Sequence, residues 1–463
     1  MGIERGHWGS RMGFILAAAG SAVGLGNIWK FPYITGENGG GAFVLVYLAA
    51  IALVGLPVMV AEIYIGRTAQ LSPVAAMEKL DRKGSPWAIF GGLGVLAGFV
   101  ILSYYSVVAG WALHYAFLAT KGVLASMTPD EAGQVFGNLF VDTKLNVIWH
   151  VVFMFITIGI VMGGVRAGVE RATRILMPVL LLMMIALAVR ATSTPGFADA
   201  VDFVFGFHTE RLSSAGILEA VGHAFFTLSL GMGAMITYGS YLRSDEDLVS
   251  TSLTVSVLDT VVALMSCLIL FPITFSFGMA ASAGPGLVFV NLPVAFSQMQ
   301  GGAIWSSVFF ILLVFAALTS AISLLEVVVS YFIDKKGWSR TFATLACGSI
   351  IILAGIPSAL SGGDGIFGAR FAEATTPIFQ ALGRETGMNW FDSFDYLASN
   401  WMLPLGGLGI ALFVAWRIGP EAREQSFKAG SKAGRVYWIW VFLLRFIVPI
   451  GILAVFLHAI GVI

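Results

Sequence analysis

Three places in this 463-residue chain set polar groups inside strongly apolar sequence. One is the glycine-rich string from Gly20 to Asn27, and another runs from Phe226 to Gly233, where hydroxyl residues precede two glycines. Each glycine costs a helix interior about 1 kcal/mol, so both stretches are predicted to unwind. In apolar surroundings, unwound carbonyls can bind a cation, and the amides of the helix that resumes can bind an anion. The alternative is that the glycines only let helices pack closely.

The third place is the string around Ala316, Thr319 and Ser320. Residues three and four apart share one face of a helix, so one carbonyl and two hydroxyl oxygens would lie together. Three neutral oxygens on one face suit Na⁺, because hard cations prefer oxygen ligands. The alternative is that both hydroxyls bond back to carbonyls one turn earlier in the same helix.

Ionisable residues also lie within apolar runs. Asp259 is predicted at membrane depth, where a charged group indicates function; the alternative is a structural, hydrogen-bonded carboxylate. Glu62 is expected to bond unwound backbone near the second glycine cluster. The six histidines have no metal-ligand spacing, which argues against an integral-membrane enzyme.

Composition defines the class of protein. The hydrophobic fraction is 58% and the charged fraction 11%, against about 45–50% and about 25% in soluble domains. Mean hydropathy is +0.88. These values exclude an ordinary soluble protein, a disordered chain and a coiled coil, and they predict an all-α polytopic membrane protein. The net charge is zero, so electrostatics gives no reason to expect a nucleic-acid partner.

A membrane helix needs about 20 mostly apolar residues, and eleven runs meet that length approximately. The candidate spans lie near residues 13–33, 41–66, 88–118, 145–162, 171–190, 216–241, 251–279, 303–333, 341–356, 394–416 and 436–460. The two glycine clusters fall in spans 1 and 6. That separation of five helices is typical of a five-plus-five inverted repeat with the substrate at the repeat interface.

The loops set the predicted orientation. With the N-terminus in the cytoplasm, 18 Lys and Arg residues lie inside and 6 outside, so the C-terminus is predicted to be outside. We expect a multi-pass protein of the cell (inner) membrane, built as one transmembrane domain over residues 1–463. Repeat one covers about 10–192, repeat two about 216–416, and helix 11 about 436–460.

Five sequence segments together resemble the neurotransmitter:sodium symporter family, which has the LeuT-type fold. The segments are His7-Trp8, Arg11–Gly41, Gly66-Arg67, Phe225–Tyr241 and Leu318–Ser320. The resemblance implies 11 transmembrane helices, with helices 1 and 6 unwound, and a 5+5 inverted repeat. It also implies a sodium-coupled symporter that works by alternating access and performs no covalent chemistry.

The resemblance implies two sodium sites and one substrate site. The first sodium site would use Ala22, Asn27, Thr227 and Asp259. The second would use Gly20, Val23, Ala316, Thr319 and Ser320. The substrate would meet Ala22, Leu25, Gly26, Ile101, Tyr105, Phe226, Thr227, Ser229, Met232, Ser323 and Leu324.

Gates and a mobile helix end are implied in the same way. Lys30 and Asp395 would form the outer gate, where Lys cannot make the bidentate fork of the more usual Arg. The inner gate would consist of Arg5, Asp334, Trp8 and Tyr241. In span 5, the spacing from Gly168 to Pro178 resembles a family pattern that lets the inner end of this helix unwind; an ordinary proline kink is the alternative.

Charge balance bears on the ions required. Chloride-dependent relatives place Cl⁻ beside the first sodium site, whereas Asp259 supplies fixed negative charge here, so we predict no chloride requirement. His223, at a position usually held by Gln, is a candidate proton carrier for the return step. A neutral, hydrogen-bonded His223 is the other interpretation.

The substrate class follows from Gly24, which stands where the family's monoamine carriers have Asp. Nothing here replaces the carboxylate that an amine lacks, so we expect an amino acid. The expected substrates are neutral and hydrophobic amino acids with large aliphatic or aromatic side chains, imported across the lipid bilayer. The alternative is a GABA-, taurine- or betaine-like solute.

Overall fold

The computed structural model describes residues 6–207, 209, 212–278, 286–382, 385–431 and 433–462. Nine helices within these ranges are long and apolar enough to cross a membrane. They are Gly41–Ala69, Ala88–Thr120, Thr143–Met162, Val165–Thr192, Leu248–Ser276, Gly302–Lys336, Arg340–Ala359, Trp390–Arg417 and Gly434–Ala459. We number them spans 2, 3, 4, 5, 7, 8, 9, 10 and 11.

Two further spans are broken. Span 1 consists of Arg11–Ala22 and Gly26–Glu37, which meet at an angle of 51° and together are long enough to cross. Span 6 consists of Ser214–Thr227 and Ala234–Gly239, two helices that are individually too short. Length and composition therefore support ten spans, and the eleventh rests on our joining the halves of span 6.

Helices match ten of the eleven predicted spans by length and composition, and several of them extend past the apolar runs that predicted them. Span 5 begins at Val165 rather than near residue 171, and span 8 continues to Lys336. The reason is that polar residues at a membrane surface continue a helix without adding to its apolar run. The two shortest predicted spans, 145–162 and 341–356, correspond to Thr143–Met162 and Arg340–Ala359.

Shorter helices connect the spans. They are Pro73–Leu80, Val123–Ser126, Pro129–Val141, Phe197–Phe205, Leu287–Ser297, Ala369–Ala381 and Pro420–Lys428. Leu287–Ser297 lies on the bundle, where Phe289 stacks on Phe136 with ring centroids 5.4 Å apart and meets Tyr115 at 5.0 Å. This connection therefore covers one end of the bundle.

Burial separates central from peripheral spans. Span 8 is 83% buried and span 3 is 78% buried over their most apolar stretches, whereas spans 5 and 11 are each 28% buried. Apolar side chains left exposed on spans 5 and 11 suit contact with lipid. Spans 3 and 8 form the centre, against which the breaks of spans 1 and 6 are held.

Candidate functional site

The helix of span 1 is interrupted where the glycine string predicted it. Val23 adopts an extended conformation after Ala22, and helical structure resumes at Gly26. Two amides just before the resuming helix meet side chains: the Gly24 amide donates to Asn27 Oδ1 at 3.0 Å and the Leu25 amide to the Tyr105 hydroxyl at 3.4 Å. The break thus directs backbone amides into the bundle centre.

Close packing accompanies the break in span 1. A Cβ on Gly20 would lie 3.1 Å from the Thr319 Cβ, and one on Gly24 would lie 2.6 Å from Ser320 Oγ. A Cβ on Gly26 would lie 3.1 Å from the Phe226 ring. Both interpretations of the glycine string therefore hold, because the glycines interrupt the helix and also let spans 6 and 8 pack closely against it.

Span 6 is interrupted over residues 228–233. Ser229, Gly231 and Gly233 have φ angles of 54°, 79° and 74°, in the left-handed region. The Gly231 amide donates to Oε1 of the fully buried Glu62 at 2.7 Å. The expected role of Glu62, as a partner for the unwound backbone, is confirmed.

Substitution of Gly231 by Ala is expected to destabilise the protein by about 2–3 kcal/mol. The added Cβ would overlap the Leu403 carbonyl oxygen and would sit at an unfavourable φ. Thermal unfolding in detergent measures the loss. Gly122→Ala is the matched control, because its φ is 74° and no atom lies within 4 Å of the added Cβ. Equal losses for the two variants would contradict a role for the Leu403 contact.

The eleven residues predicted to meet the substrate all line one cavity of about 30 Å³. They come from spans 1, 3, 6 and 8, and the halves of spans 1 and 6 supply most of them. Three further residues line it that the prediction missed: Ser21, Gly24 and Ser320. Ser21 lies in the glycine string next to the predicted Ala22, so its place in that string could have indicated that it lines the cavity.

A buried polar cluster joins spans 1, 6 and 7. Asn27 Nδ2 donates to Asp259 Oδ1 at 2.7 Å and to Thr227 Oγ1 at 2.9 Å. Thr227 Oγ1 donates to both carboxylate oxygens of Asp259, at 3.0 and 3.1 Å, and the Tyr47 hydroxyl lies 3.4 Å from Oδ2. Asn27, Tyr47 and Asp259 are completely buried. The three side chains predicted for the first sodium site thus contact one another.

The second predicted cluster lies between spans 1 and 8. Thr319 Oγ1 donates to the carbonyls of Phe315 and Ala316, at 3.1 and 3.0 Å, in its own helix. Ser320 Oγ instead reaches across to the carbonyls of Gly20 and Ser21, at 3.4 and 3.2 Å. Back-bonding within the helix, the alternative reading of this motif, therefore holds for Thr319 and fails for Ser320.

The environment of His223 does not match the hydrogen-bonded interpretation of this residue. Its ring stacks on Phe31 with centroids 5.5 Å apart and lies 5.8 Å from the Tyr47 ring. Neither ring nitrogen has a hydrogen-bond partner among the described residues. The expected hydrogen-bonded histidine is therefore not observed, and Tyr47 contacts both His223 and Asp259. The position of His223 in the sequence could not show that its neighbours in the fold would be aromatic rings rather than hydrogen-bonding side chains.

A larger cavity of about 510 Å³ lies above the small one, on the side of Lys30 and Asp395, which we call the Asp395 end. Tyr105 and Phe226 line both cavities and separate them. Lys30 Nζ lies 5.1 Å from the Phe226 ring centroid, whereas Asp395 accepts a hydrogen bond of 2.8 Å from the Tyr104 hydroxyl. Lys30 and Asp395 share this cavity and form no ion pair with each other.

The opposite side, which we call the Asp334 end, is closed by the N-terminal segment. Trp8 is 7% exposed, and its Nε1 donates to the Tyr238 carbonyl at 3.0 Å. The Trp8 amide donates to the Tyr241 carbonyl at 3.2 Å. Asp334 Oδ2 accepts from the Ser72 amide at 2.6 Å, and Arg5 lies outside the described residues.

An ion pair between a buried carboxylate and the partly exposed Arg340 supports this closure. Glu326 is completely buried and accepts two hydrogen bonds from Arg340, at 2.7 and 2.9 Å. The Tyr241 hydroxyl donates to the same carboxylate at 2.6 Å. Tyr241 therefore links the Trp8 segment to spans 8 and 9. The prediction included Trp8 and Tyr241 but not Glu326 or Arg340.

Span 5 is continuous from Val165 to Thr192, and its first turns, Val165–Glu170, are π-helical. Gly168 lies in this widened part, and Pro178 lies inside the regular helix that follows. Oε2 of Glu170 accepts a 2.7 Å hydrogen bond from the Gly9 amide. The stretch between the glycine and the proline thus touches the start of span 1.

Sequence comparison agrees with this geometry. A sequence model of the sodium:neurotransmitter symporter family matches residues 5–132 and 140–382. The chain belongs to this family. Members are transporters, and the chain is accordingly a sodium-dependent, multi-pass membrane transporter.

Individual relatives fit this family assignment. The chain is 37% identical to the "uncharacterized sodium-dependent transporter YhdH" of Bacillus subtilis (strain 168), over 98% of both chains. It is 23% identical to the "sodium- and chloride-dependent neutral and basic amino acid transporter B(0+)" of Mus musculus, covering 94% of this chain and 76% of that one.

A solved structure shows the fold. The crystal structure of MhsT in complex with L-phenylalanine is 46% identical in sequence, with a TM-score of 0.87, and the match covers 98% of this chain and 100% of that one. The chain therefore has the LeuT-type fold, as the resemblance implied.

Proposed function

We propose that this symporter imports neutral, hydrophobic amino acids with large aliphatic or aromatic side chains, driven by two Na⁺ ions. The observation that carries the proposal is the cavity where the broken halves of spans 1 and 6 meet. A zwitterion at membrane depth needs both of its charges neutralised. The Leu25 and Gly26 amides and the Tyr105 hydroxyl suit the carboxylate, and carbonyls of Ala22 and Phe226 suit the amino group.

The first sodium ion would lie in the Asn27–Thr227–Asp259 cluster beside the Ala22 carbonyl. The residues fit the ion, because the cluster is buried and carries one negative charge with neutral oxygens around it. Rotation of the Asn27 amide about its last bond would turn Oδ1, which now accepts from Gly24, toward the ion. Contact between this ion and the substrate carboxylate would make each raise the affinity of the other equally.

The second sodium ion would lie between spans 1 and 8, held by the carbonyls of Gly20, Val23 and Ala316 and the hydroxyls of Thr319 and Ser320. Ser320 Oγ already spans the gap to Gly20, which supports this site. In span 5, Met177 packs against Gly20, with Sδ 3.2 Å from the position of an added Cβ. Unwinding between Gly168 and Pro178 would therefore open a path for water to this ion.

Fixed charge supports chloride-independent transport. Asp259 carries its charge beside Tyr47 and Thr227, the neighbourhood that holds Cl⁻ in chloride-dependent relatives. Ala263, one turn further along span 7, is fully buried and offers no polar side chain to an anion. We infer that the carboxylate takes the place of the anion.

The side-chain end of the cavity suits an apolar group. Ile101, Met232 and Leu324 line it, and Met is flexible enough to fit side chains of several shapes. The bound L-phenylalanine of MhsT supports an amino-acid substrate, since that protein is the 46% identical structural relative.

Alternating access follows from the two ends of the bundle. We propose a cytoplasmic N-terminus and an outside C-terminus, in the cell membrane, with the Asp395 end facing outward. Lys30 and Asp395 would then approach to close the outer cavity, while Trp8 and Tyr241 would part to open the inner path. The five-plus-five repeat, residues 10–192 and 216–416, would supply the two halves that move.

Binding to the purified protein tests the proposal. We expect leucine, phenylalanine or tryptophan to bind in NaCl and in sodium gluconate, and not in KCl. Thermal shift or scintillation proximity measures this. Binding in NaCl alone would contradict chloride independence. Failure of every neutral amino acid in sodium, with binding of GABA, taurine or betaine, would overturn the amino-acid assignment.

A further inference from the structure

Three buried serines from three spans line the side-chain part of the cavity: Ser21, Ser229 and Ser323. Their exposed fractions are 1%, 6% and 1%. Hydrogen bonds link them, through the hydroxyl of Ser323 and through the backbone carbonyl of Ser21, and we call the three residues the serine chain. Apolar residues make up much of the remaining wall, so this chain is a distinct polar strip.

Every proton of the serine chain is already donated within the protein. Ser323 Oγ donates to the Ser320 carbonyl at 2.8 Å, and Ser21 Oγ donates to Ser323 Oγ at 2.7 Å. Ser229 Oγ donates to the Ser21 carbonyl at 2.8 Å. Among the described residues, nothing donates to the Oγ of Ser21 or of Ser229. The strip therefore presents oxygen lone pairs to the cavity and no free proton.

Two other hydroxyls around the cavity also donate within the protein: Thr227 to Asp259, and Ser320 to the carbonyls of Gly20 and Ser21. Tyr105 accepts from the Leu25 amide and keeps its proton, which the proposed function assigns to the substrate carboxylate. Ser229 is held in place by the break of span 6, where its φ of 54° is unusual for a residue with a side chain. Strained positions of this kind cluster at ligand sites. The hydrogen bond that Ser229 Oγ donates to the Ser21 carbonyl then fixes how its lone pairs are oriented.

We infer that the serine chain accepts a hydrogen bond from the substrate's side chain, so that the site prefers an aromatic side chain with an N–H or O–H group. Indole and phenol have such groups, whereas phenyl and aliphatic side chains do not. The inference rests on the proposed function, because it assigns the far end of a substrate to this same cavity.

The size of the preference follows from the state of the hydroxyls. Each serine already donates one hydrogen bond. An apolar substrate side chain therefore leaves only lone pairs without a partner, and the cost in binding free energy is small. An indole N–H loses a hydrogen bond to water on entry and regains one from the chain. A net hydrogen bond of this kind corresponds to about two- to tenfold in affinity. The site is thus expected to bind a range of hydrophobic amino acids, and to bind those whose side chain has an N–H or O–H group more tightly.

Two isosteric ligands test the inference in sodium gluconate. L-tryptophan and 3-benzothienyl-L-alanine differ by N–H against sulfur in an otherwise similar ring system. We expect tryptophan to bind about fivefold more tightly to the full-length protein. Equal or tighter binding of the sulfur analogue would overturn the inference. If neither ligand nor any other neutral amino acid binds in sodium, the proposed function fails as well, which separates the two failures.

Variants locate the acceptor. Ser229→Ala and Ser21→Ala are each expected to lower the ratio of the two affinities toward one, chiefly by weakening tryptophan. Ser229→Gly removes the same hydroxyl while relieving the backbone strain, so a loss of discrimination shared with Ser229→Ala identifies the hydroxyl. Ser266→Ala is the matched control, since Ser266 is a fully buried serine of span 7 that donates to the Val262 carbonyl. An unchanged ratio in all three cavity variants would overturn the inference.

Discussion

Replacing Asp259 by Asn is expected to weaken the sodium affinity of amino-acid binding by at least about a hundredfold in chloride-free buffer. Asn has nearly the same shape, and it can keep hydrogen bonds to Asn27 and Thr227, which lie 2.7 and 3.0 Å from Asp259 Oδ1. What the variant removes is the negative charge. A Na⁺ ion in this completely buried cluster would then have no counter-charge except the substrate carboxylate.

The expected loss is large, because a buried ion left without its partner costs about 3–5 kcal/mol. That cost corresponds to at least about a hundredfold weaker apparent sodium affinity. Sodium titration of amino-acid binding in gluconate measures it directly. The carboxylate side chain also orders the Tyr47 hydroxyl at 3.4 Å, so circular dichroism and thermal unfolding are needed to show that the variant is folded.

Chloride distinguishes charge from structure in this variant. If Asp259 takes the place of an anion, NaCl should restore part of the binding to Asp259→Asn and should do nothing for the original protein. Asp199→Asn, an exposed change in the helix Phe197–Phe205, controls for the loss of one carboxylate and should bind as before. Sodium affinity that stays the same in Asp259→Asn would contradict the proposed first sodium site.

The breaks were predictable because their causes are local. A run of glycines weakens a helix wherever it lies, so Gly20–Asn27 and Phe226–Gly233 indicated the interruptions that the structure contains. The apolar runs likewise indicated ten of the spans, because a helix needs about 20 mostly apolar residues to cross a membrane. Resemblance then placed eleven substrate residues, and all eleven surround one cavity.

Side-chain partners were less predictable, because they depend on tertiary contacts. Thr319 and Ser320 are neighbours of similar chemistry, yet one bonds back within its helix and the other reaches span 1. His223 lies next to aromatic rings that come from distant parts of the sequence. Lys30 and Asp395 share a cavity without pairing, since the approach of a gate depends on the conformation of the whole bundle.

The ion pair of Glu326 and Arg340 is another contact that the sequence alone could not predict. Glu326 lies in a long apolar helix and Arg340 begins the next one, fourteen residues later. A carboxylate at that depth signals function or a buried partner, but spacing alone does not name the partner. The fold brings them together and adds Tyr241, which ties the pair to the Trp8 segment.

Arg340→Ala is therefore expected to destabilise the protein strongly, by about 3–5 kcal/mol, because it leaves the fully buried Glu326 charge unpaired. In the variant, the Glu326 carboxylate would keep the hydrogen bond that it accepts from the Tyr241 hydroxyl. Thermal unfolding in detergent measures the loss. Lys335→Ala is the matched control. Lys335 is about as exposed as Arg340, but its partner Glu78 is partly exposed whereas Glu326 is buried, so this 2.6 Å ion pair contributes at most about 1 kcal/mol.

The double variant Glu326→Gln with Arg340→Ala decides whether the buried charge is the cause. A neutral amide in place of the carboxylate removes most of the desolvation penalty, so the double variant should be more stable than Arg340→Ala alone. The gain should be absent when Glu326→Gln is made with Arg340 intact, because that change breaks the pair from the other side. A double variant as unstable as Arg340→Ala would mean that packing of the arginine stem, and not charge, holds spans 8 and 9 together beneath Trp8.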